Sequence, residues 1–511
     1  MRLRVFAFAV VMVCSAADKP TPRQKARELL DSAAEMIAAT QPDVQVAALY
    51  HLGDNYQAFD KKKAVEYFKQ AFTTAANPPA SANAAFSRSM QMEIVVSLAA
   101  LDPAEGVALV KLIPAPAQGY DNRSFAAARV IGKLLEKGQL ENAIELAEYM
   151  GALGAYPFEG VAQVMAKLPA GDPRLAAIFS QALSAYTVKP NPSFARLLTR
   201  FCRDLPLGMP ETALSRILSI VLASKTDDQY NPTTIASAKG TVTFTNRVEA
   251  DLFEVMPLVR EIDPKRYEDL LAQHVEVRSA LGIFPGGGPS IASQRGVWIY
   301  TVSGGDRRQA ETLNEQQKLR ALIENRAMEA LETAAKDMDK GLDLVPGIPS
   351  PPKQAEVLGR MAEMVGDRDS ATAKRVLSKC ILLLDDVKHP DDRVEIWEIV
   401  ASAAALVKDE ALALRAIDRL LSDAELLYKD DTNGDRPNRA WRESWPSTQA
   451  FRRAVIRATK LSGVDAEALL VKITDPDQNV LARLTMAQAL LERPFDPLRS
   501  FGGRPHAPQT Q

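Results

Sequence analysis

The residues with the clearest chemical potential lie in one polar stretch, Lys429–Thr448, with the sequence KDDTNGDRPNRAWRESWPST. Asp431, Asn433 and Asp435 alternate there as the oxygen ligands of a calcium-binding loop do. Arg436, however, stands where such a loop needs glycine, and the bidentate glutamate that would end the loop is missing. The spacing therefore favours a structural turn over a calcium site.

The same stretch holds two of the chain's four tryptophans, four positions apart. Aromatic faces beside Arg, Asp and Asn side chains are what a sugar or peptide site uses. The alternative is that these tryptophans anchor a long loop over the last helices, with Arg–Asp contacts holding it. If the chain has a ligand or partner site, we expect it to draw on eight residues: Trp298, Tyr300, Asp431, Asp435, Arg439, Trp441, Arg442 and Trp445.

No other pattern predicts catalysis or metal binding. The four histidines, His51, His274, His389 and His506, are scattered, and none has the paired spacing of a zinc-protease helix. No cysteine lies at zinc spacing from another, and no Walker loop or Gly-x-Ser-x-Gly elbow is present. The run Gly286–Ser290 could cradle an anion but lacks the flanking strand and helix of a phosphate loop. We predict no catalytic residue, metal or cofactor, and a structural or surface role for His51.

The first 17 residues have the pattern of a secretory signal peptide, with the alternative of a buried first helix. Arg2 and Arg4 form a basic start, Val5–Val13 an apolar run, and Ser15–Ala17 a small-residue cleavage site. The apolar run is shorter than the roughly 20 residues that span a bilayer. The pattern predicts an exported protein, periplasmic or secreted, with no transmembrane segment after cleavage.

Charge and cysteine content narrow the class of partner. Without the two arginines of the leader, 60 basic residues stand against 64 acidic ones, a net charge of −4 that favours neither nucleic acid nor anionic membrane. Cys14 raises a lipoprotein alternative, but the valine before it fits a lipobox poorly. Cys202 and Cys380 are 178 positions apart. Export would permit a disulfide between them, whereas the helical context favours two buried free thiols.

The rest of the chain reads as helices. At 511 residues it is long enough for two to four domains or one extended helical array. Its 47% hydrophobic and 25% charged residues exclude wholesale disorder, and the dominance of alanine and leucine favours helix. An Asp-Pro pair, with Asp as N-cap and Pro in the first turn, predicts a helix start. The pairs begin at Asp102, Asp172, Asp263 and Asp475.

The stretch Ala48–Ala76 predicts two short amphipathic helices joined by a polar turn at Asp60–Lys63. Such a pair cannot bury both its faces alone, so it needs further pairs stacked on it. Its apolar positions are Leu49, Leu52 and Tyr56 on the first helix, and Ala64, Phe68 and Ala71 on the second.

This pair resembles the tetratricopeptide repeat, which places Leu-Gly and an aromatic residue on its first helix and Ala, aromatic, Ala on its second. A second stretch, Val130–Met150, repeats the order without the aromatic residues. In both, the second helix stands one residue closer than in the family. The residues that carry the resemblance are Leu52, Gly53, Tyr56, Ala64, Phe68 and Ala71 in the first unit, and Ile131, Gly132, Leu135, Ala143 and Ala147 in the second.

The resemblance implies a right-handed superhelix of helix pairs whose concave face binds peptides or partner proteins, and it implies no catalysis. The remaining pairs have the more generic character of HEAT-like arrays. The closing segment, Asp465–Leu491, resembles helical repeats of exported, uncharacterised bacterial proteins. We therefore predict an all-α fold: a helical-hairpin repeat array of the TPR/HEAT-like α-solenoid type, divisible into two halves, with one long Gly-rich insertion.

Two stretches interrupt the helical pattern. Thr241–Thr245 alternates with period two and is either a short strand or an extended loop. In Phe284–Asp306, glycine clusters flank a short apolar run, and insertions of this length are usually functional loops or linkers. These breaks predict a signal peptide at 1–17, an N-terminal helical-repeat region at 18–283, a Gly-rich insertion at 284–310, a C-terminal helical-repeat region at 311–492 and a disordered tail at 493–511.

The leading functional hypothesis is an exported scaffold that binds a protein or peptide partner in the cell envelope, without catalytic activity. The alternative is an exported all-α enzyme acting on carbohydrate, with a pocket near residues 430–445. Such an enzyme needs two carboxyl groups about 5–10 Å apart across a cleft. A third hypothesis is a purely structural envelope protein.

Overall fold

The computed structural model describes residues 20–77, 84–115, 123–169, 171–188, 209–223, 233–237, 240–291, 298–301, 307–433 and 442–493. The predicted signal peptide and nearly all of the predicted disordered tail lie outside these ranges. The contacts divide the chain into two units. Unit 1 contains the described residues of 1–60 and 330–497, and unit 2 contains those of 61–329.

Helices account for most of the described chain, so the predicted all-α class is confirmed. The first ten helices are α1 (Pro22–Met36), α2 (Pro42–Tyr56), α3 (Lys61–Ala76), α4 (Ala84–Leu101), α5 (Pro103–Val110), α6 (Arg123–Glu136), α7 (Leu140–Ala152), α8 (Phe158–Lys167), α9 (Pro173–Val188) and α10 (Met209–Ala223). The others are α11 (Arg247–Ile262), α12 (Pro264–Gln273), α13 (Val275–Ile283), α14 (Gly287–Ile291), α15 (Arg307–Ala334), α16 (Met338–Leu344), α17 (Pro351–Val365), α18 (Ser370–Leu384), α19 (Pro390–Leu406), α20 (Glu410–Asn433), α21 (Pro446–Ser462) and α22 (Pro476–Leu490). Short 3₁₀ helices cover Ile37–Ala39, Val345–Gly347, Arg442–Ser444 and Gly463–Lys472.

The Asp-Pro pairs begin helices as predicted. The side chains of Asp102, Asp263 and Asp475 each accept a hydrogen bond from the backbone N–H three residues later, which satisfies a donor that the first turn of a helix leaves open. Asp172 instead accepts from the backbone N–H of Arg174 at 2.9 Å and from its guanidinium, so an ion pair supports the cap there.

In unit 1, three helix pairs follow one another: α17 with α18, α19 with α20, and α21 with α22. The first helices of these pairs also stack on each other, α17 on α19 and α19 on α21. The sequence pattern predicts the first two pairs, as Gln354–Val365 with Ser370–Leu384 and Asp391–Leu406 with Asp409–Leu427. For the third pair it predicts Thr448–Ser462 with one helix over Asp465–Leu491, whereas the structure has a 3₁₀ helix at Gly463–Lys472 before α22. The close approach of α17 to α19 depends on Gly359 of α17, where an added Cβ atom would lie 2.7 Å from Cγ2 of Ile399.

The N-terminal helices complete this stack. Both α1 and α2 pack on α22, more than 400 positions away in the chain. Helix α2 is buried on almost every side, as expected for a helix that is apolar all round. Their contacts within unit 1 place these two helices beside α22.

Unit 2 combines further helix packing with a small sheet. Helices α3 to α9 pack in short steps along the chain, including the predicted pair α6 and α7, and α11 contacts α12, α13 and α14. The strands β1 (Thr233–Ser237), β2 (Gly240–Phe244) and β3 (Trp298–Thr301) form an antiparallel sheet in the order β2-β1-β3. The sheet is a local addition to the all-α fold.

The two predicted interruptions contain regular structure. Of the two alternatives for Thr241–Thr245, the short strand is correct, because most of this segment forms β2. The stretch predicted as a Gly-rich insertion contains α14, β3 and the start of α15 in its described part. Phe284 and Ile291 are buried, which ties this stretch to the apolar core of unit 2.

Candidate functional site

The structure describes some of the eight residues predicted for a ligand or partner site. Asp435, Arg439 and Trp441 lie outside the described residues. The backbones of Trp298 and Tyr300 lie in β3, opposite Ala236 and Thr234 of β1, and their side chains are outside what the structure describes. Asp431, Arg442 and Trp445 are described together with their contacts.

Asp431, near the end of α20, is buried and fixes the start of α21. Its Oδ2 atom accepts a hydrogen bond from the backbone N–H of Ser447 at 3.1 Å. That N–H belongs to the first turn of α21, where intrahelical partners are lacking. The contact therefore connects the end of α20 to the start of α21 and gives Asp431 a structural role in unit 1.

Arg442 and Trp445 hold the short segment before α21. The Arg442 guanidinium lies 5.5 Å from the centre of the Trp445 ring and donates to Asp477 of α22 at 2.5 Å. The backbone N–H of Arg442 donates to Asp43 of α2 at 3.0 Å. Trp445 is buried, with its ring 6.4 Å from that of Tyr428. For these residues the contacts match the anchoring alternative, and their use by a ligand stays a prediction.

A buried charged cluster, which we call the seam triad, lies beneath this segment and consists of His51, Glu443 and Arg452. These residues are 2%, 1% and 3% exposed, respectively. His51 Nε2 lies 2.6 Å from Glu443 Oε1, and Arg452 Nη2 donates to the same oxygen at 2.6 Å. Burial opposes the ionised form of Glu443, but the charges and hydrogen bonds of Arg452 and His51 outweigh it and hold its pKa at about 2. The triad joins α2 to the 3₁₀ helix Arg442–Ser444 and to α21.

Unit 2 contains a buried acid of the opposite kind, Asp251 of α11, which is 0% exposed. Among the described residues, neither of its carboxyl oxygens accepts a hydrogen bond, and the Arg247 Nε atom lies 3.7 Å away. Burial raises the pKa of Asp251 to about 7, although Arg247 lowers it and the nearby Glu254 adds to the rise. A carboxyl group in this setting keeps its proton well above its ordinary pKa, up to about pH 7.

The exposed side of the stacked first helices in unit 1 carries interhelical ion pairs. Between α17 and α19, Arg360 Nη2 lies 3.9 Å from Glu395 Oε1. Between α19 and α21, Glu398 lies 3.3 Å from Arg453 and 3.1 Å from Arg457. Glu395 and Glu398 are three residues apart on α19, so they lie on the same face of that helix and the two sets of ion pairs lie on one side of the stack. Within α17, Glu356 lies 2.9 Å from Lys353 and 2.8 Å from Arg360. We call this surface the paired-charge face: Lys353, Glu356, Arg360, Glu395, Glu398, Arg453 and Arg457.

Sequence reasoning missed both the seam triad and the paired-charge face. His51 was assigned a structural or surface role, and its burial in the triad makes that role structural. The partners on the face lie tens of positions apart, so no local motif links them. The available signals were two charged pairs at i, i+4 spacing, Glu356 with Arg360 and Arg453 with Arg457, which place charges on one helix face.

Other predicted features are of smaller consequence. Cys380 is a buried free thiol whose S–H donates to the backbone carbonyl of Ala355 at 3.2 Å, and burial raises its pKa to about 12. Cys202 lies outside the described residues.

In the described part of the chain, no group of three or more His, Cys, Asp or Glu side chains is arranged to hold a metal, and no helix has the length and apolar character needed to cross a membrane.

Comparison with known proteins adds little to this picture. No protein-family model matches the chain, and no curated protein matches it. One similar solved structure is described as a "Circular tandem repeat protein with novel repeat topology and enhanced subunit contact surfaces". The alignment covers 92% of this chain and 98% of that chain, with 12% identity and a TM-score of 0.15. At that TM-score the similarity carries no argument about this chain.

Proposed function

We propose that this chain is an exported helical-repeat scaffold that binds a protein or peptide partner in the cell envelope through the paired-charge face. The observation that carries the proposal is the continuity of this face across three consecutive first helices. Repeat arrays present extended surfaces of this kind, to which each repeat contributes similarly placed side chains. No catalytic activity is part of the proposal.

The energetics of the ion pairs support a binding role. Exposed pairs of this type contribute only about 0–1 kcal/mol each to stability, so the fold has little need of them. Charges on such a surface can instead select a partner of complementary pattern and speed the encounter. Arg360 and Glu395 are exposed, and the other members of the face are partly exposed, so a partner's charged groups can reach them.

Export rests on the signal-peptide pattern of the first 17 residues, which remains an expectation from the sequence. It would place the partner in the envelope or outside the cell. The resemblance to tetratricopeptide repeats agrees with a partner that is a protein or peptide.

Charge reversal tests the proposal. The double variant Arg360→Glu/Arg453→Glu changes the face, and the double variant Arg375→Glu/Arg415→Glu applies the same charge change to exposed positions on α18 and α20. Each protein, crosslinked and captured from the envelope fraction of the native host, is compared with the wild type. We expect one stoichiometric protein to be recovered with the wild type and the control variant, and its recovery to fall at least tenfold with the face variant.

Two outcomes would contradict this proposal. Equal recovery of the partner by the face variant would show that binding uses another surface. Recovery of no stoichiometric protein by the wild type would favour the purely structural role. Far-ultraviolet circular dichroism of each variant confirms that the charge changes leave the fold intact.

A further inference from the structure

The most unusual feature of unit 1 is that its first two helices and its last two helices share one core. The buried side of α1 consists of Ala26, Leu29, Leu30 and Ala33, and this helix packs on α22. Helix α2 also packs on α22. We call α1 and α2 the N-terminal hairpin, and α21 and α22 together with the preceding 3₁₀ helix Arg442–Ser444 the C-terminal pair.

The N-terminal hairpin cannot bury its apolar surface by itself. Helix α2 is buried nearly all round, so one neighbouring helix covers only part of it. Isolated helices of this length are marginal in water, because most of their stability comes from packing. The surface that covers much of the hairpin within unit 1 belongs to α22, which has its own buried residues along its whole length.

The backbone at the start of α2 also depends on the C-terminal residues. The side chain of Gln41, the residue that precedes α2, makes no capping hydrogen bond there. The backbone N–H of Gln41 instead donates to Asp477 of α22 at 3.0 Å. Asp43, in the first turn of α2, accepts from the backbone N–H of Arg442 at 3.0 Å. The N-terminal hairpin and the C-terminal pair thus each accept a hydrogen bond from a backbone N–H group of the other.

The seam triad makes the dependence mutual. Glu443 and Arg452 belong to the C-terminal pair, and His51 lies in the second half of α2. If the hairpin were displaced, Glu443 would lose one of its two cationic or hydrogen-bonding partners and the cover that keeps water away. A buried ion pair is stable only while its hydrogen bonds and its cover remain complete.

We propose that the N-terminal hairpin and the C-terminal pair form one cooperative folding unit, in which neither half is stable without the other. During synthesis, the hairpin then has no complete core until α22 has been made. The boundary of this folding unit falls in the turn Gln57–Asp60, so α2 and α3, which are neighbours in sequence, belong to different cooperative units. This inference is independent of the proposed export and binding.

Hydrogen–deuterium exchange on the full chain tests the proposal. Leu484→Ala opens a cavity in α22, because Leu484 is buried there. We expect amide exchange to accelerate at least tenfold in both α22 and the N-terminal hairpin, and to change less than twofold in α3. The reciprocal variant, Leu52→Ala in α2, should accelerate exchange in α21 and α22. Leu134→Ala, a buried position of α6, is the matched control and should leave the hairpin unaffected.

The proposal is wrong if Leu484→Ala leaves exchange in the N-terminal hairpin unchanged, or if α2 and α3 respond to the same degree. The wild type gives an independent measurement where a variant does not fold. In increasing urea, amides of the hairpin and of α22 should converge on one opening free energy with one denaturant dependence, distinct from that of α3. Separate values for the hairpin and α22 would overturn the proposal.

Discussion

Glu443 shows how single buried charges are stabilised in this protein. Its carboxylate would be costly to bury alone, yet Arg452 and His51 share one of its oxygens and keep its pKa at about 2. Arg247 lies 3.7 Å from Asp251, but neither carboxyl oxygen of Asp251 accepts a hydrogen bond among the described residues, and burial raises its pKa to about 7. A carboxyl group is therefore ionised at one site over most of the pH range and keeps its proton up to about pH 7 at the other.

The first prediction concerns Glu443→Gln. This change removes the negative charge that Arg452 and His51 face, and we expect the free energy of unfolding of unit 1 to fall by about 3 kcal/mol at pH 7. The ordinary pKa of the glutamate is 4.5 and its folded value is about 2, so the ionised form adds stability above pH 4.5 that is lost as the pH falls toward 2. Urea unfolding at several pH values measures the effect.

The difference between the wild type and Glu443→Gln should therefore shrink between pH 4.5 and 2. Glu425→Gln, at an exposed position of α20, is the control and should change stability by no more than about 0.5 kcal/mol. A difference that persists unchanged at pH 2 would argue against a charge effect.

The second prediction concerns Asp251→Asn. The native state keeps the Asp251 proton until about pH 7, whereas the unfolded state loses it near 3.8. The unfolded state therefore binds fewer protons between these values, and stability falls as the pH rises through this range. At about 1.4 kcal/mol per pKa unit, the loss for unit 2 is at most about 4 kcal/mol.

The asparagine side chain carries no charge, so we expect the Asp251→Asn variant to lose this pH dependence and to be the more stable protein at pH 8. Exchange rates of amides in α11 at pH 5 and pH 8, corrected for intrinsic exchange, measure it. Equal pH dependence of opening in the wild type and Asp251→Asn would contradict the assignment.

At the scale of elements, the helices of unit 1 approach closely where small residues permit it. Gly359 of α17 faces Ile399 of α19, and the Cβ of a larger residue would lie 2.7 Å from its Cγ2 atom. Gly282 of α13 differs, because a Cβ atom there would meet no atom within 4 Å. Gly359 therefore permits a close contact between two helices, whereas no neighbouring atom requires a glycine at position 282.

The third prediction compares Gly359→Ala with Gly282→Ala. At 359 the added methyl group forces α17 and α19 apart, and we expect a loss of about 1–3 kcal/mol. At 282 the same change adds helix propensity without a clash, and we expect a gain of up to about 1 kcal/mol. Thermal unfolding followed by circular dichroism distinguishes the two. A stabilised Gly359→Ala protein would show that the contact between these helices is looser than the structure indicates.

At the scale of the whole chain, the unit boundaries differ from the breaks in the sequence pattern. The hairpin at the N-terminus completes a stack whose other members begin near residue 350. The tetratricopeptide-like stretch Ala48–Ala76 is therefore shared between the two units, with α2 in unit 1 and α3 in unit 2. Its local resemblance to a repeat describes the two helices but not their packing partners.

The fourth prediction concerns the predicted leader. If residues 1–17 are a cleaved signal peptide, the mature exported protein begins at Asp18, which leaves α1 intact because that helix begins at Pro22. Mass spectrometry of the protein from the envelope fraction identifies the first residue. Cys14→Ala should leave cleavage and location unchanged, whereas a lipid-modified product that the variant loses would establish the lipoprotein alternative.

Local sequence patterns were enough to predict the helical character of this protein. The apolar periodicity, the Asp-Pro caps and the dominance of alanine and leucine are local properties, and they predicted the all-α class, the four helix starts after Asp-Pro, and the pairs α17 with α18 and α19 with α20. They also indicated β2, because alternation with period two is a local signal as well. The composition of the polar stretch Lys429–Thr448 singled out Asp431, Arg442 and Trp445.

Which helices share a core, and which charged side chains form ion pairs, depends on contacts between distant parts of the chain. The pairing of α2 with α22, and of His51 with Glu443 and Arg452, depends on the fit between surfaces about 400 positions apart in the chain. Periodicity specifies that a helix has an apolar face, but not which other face will cover it. The paired-charge face has the same origin, because its ion pairs exist only where stacking brings α17, α19 and α21 side by side.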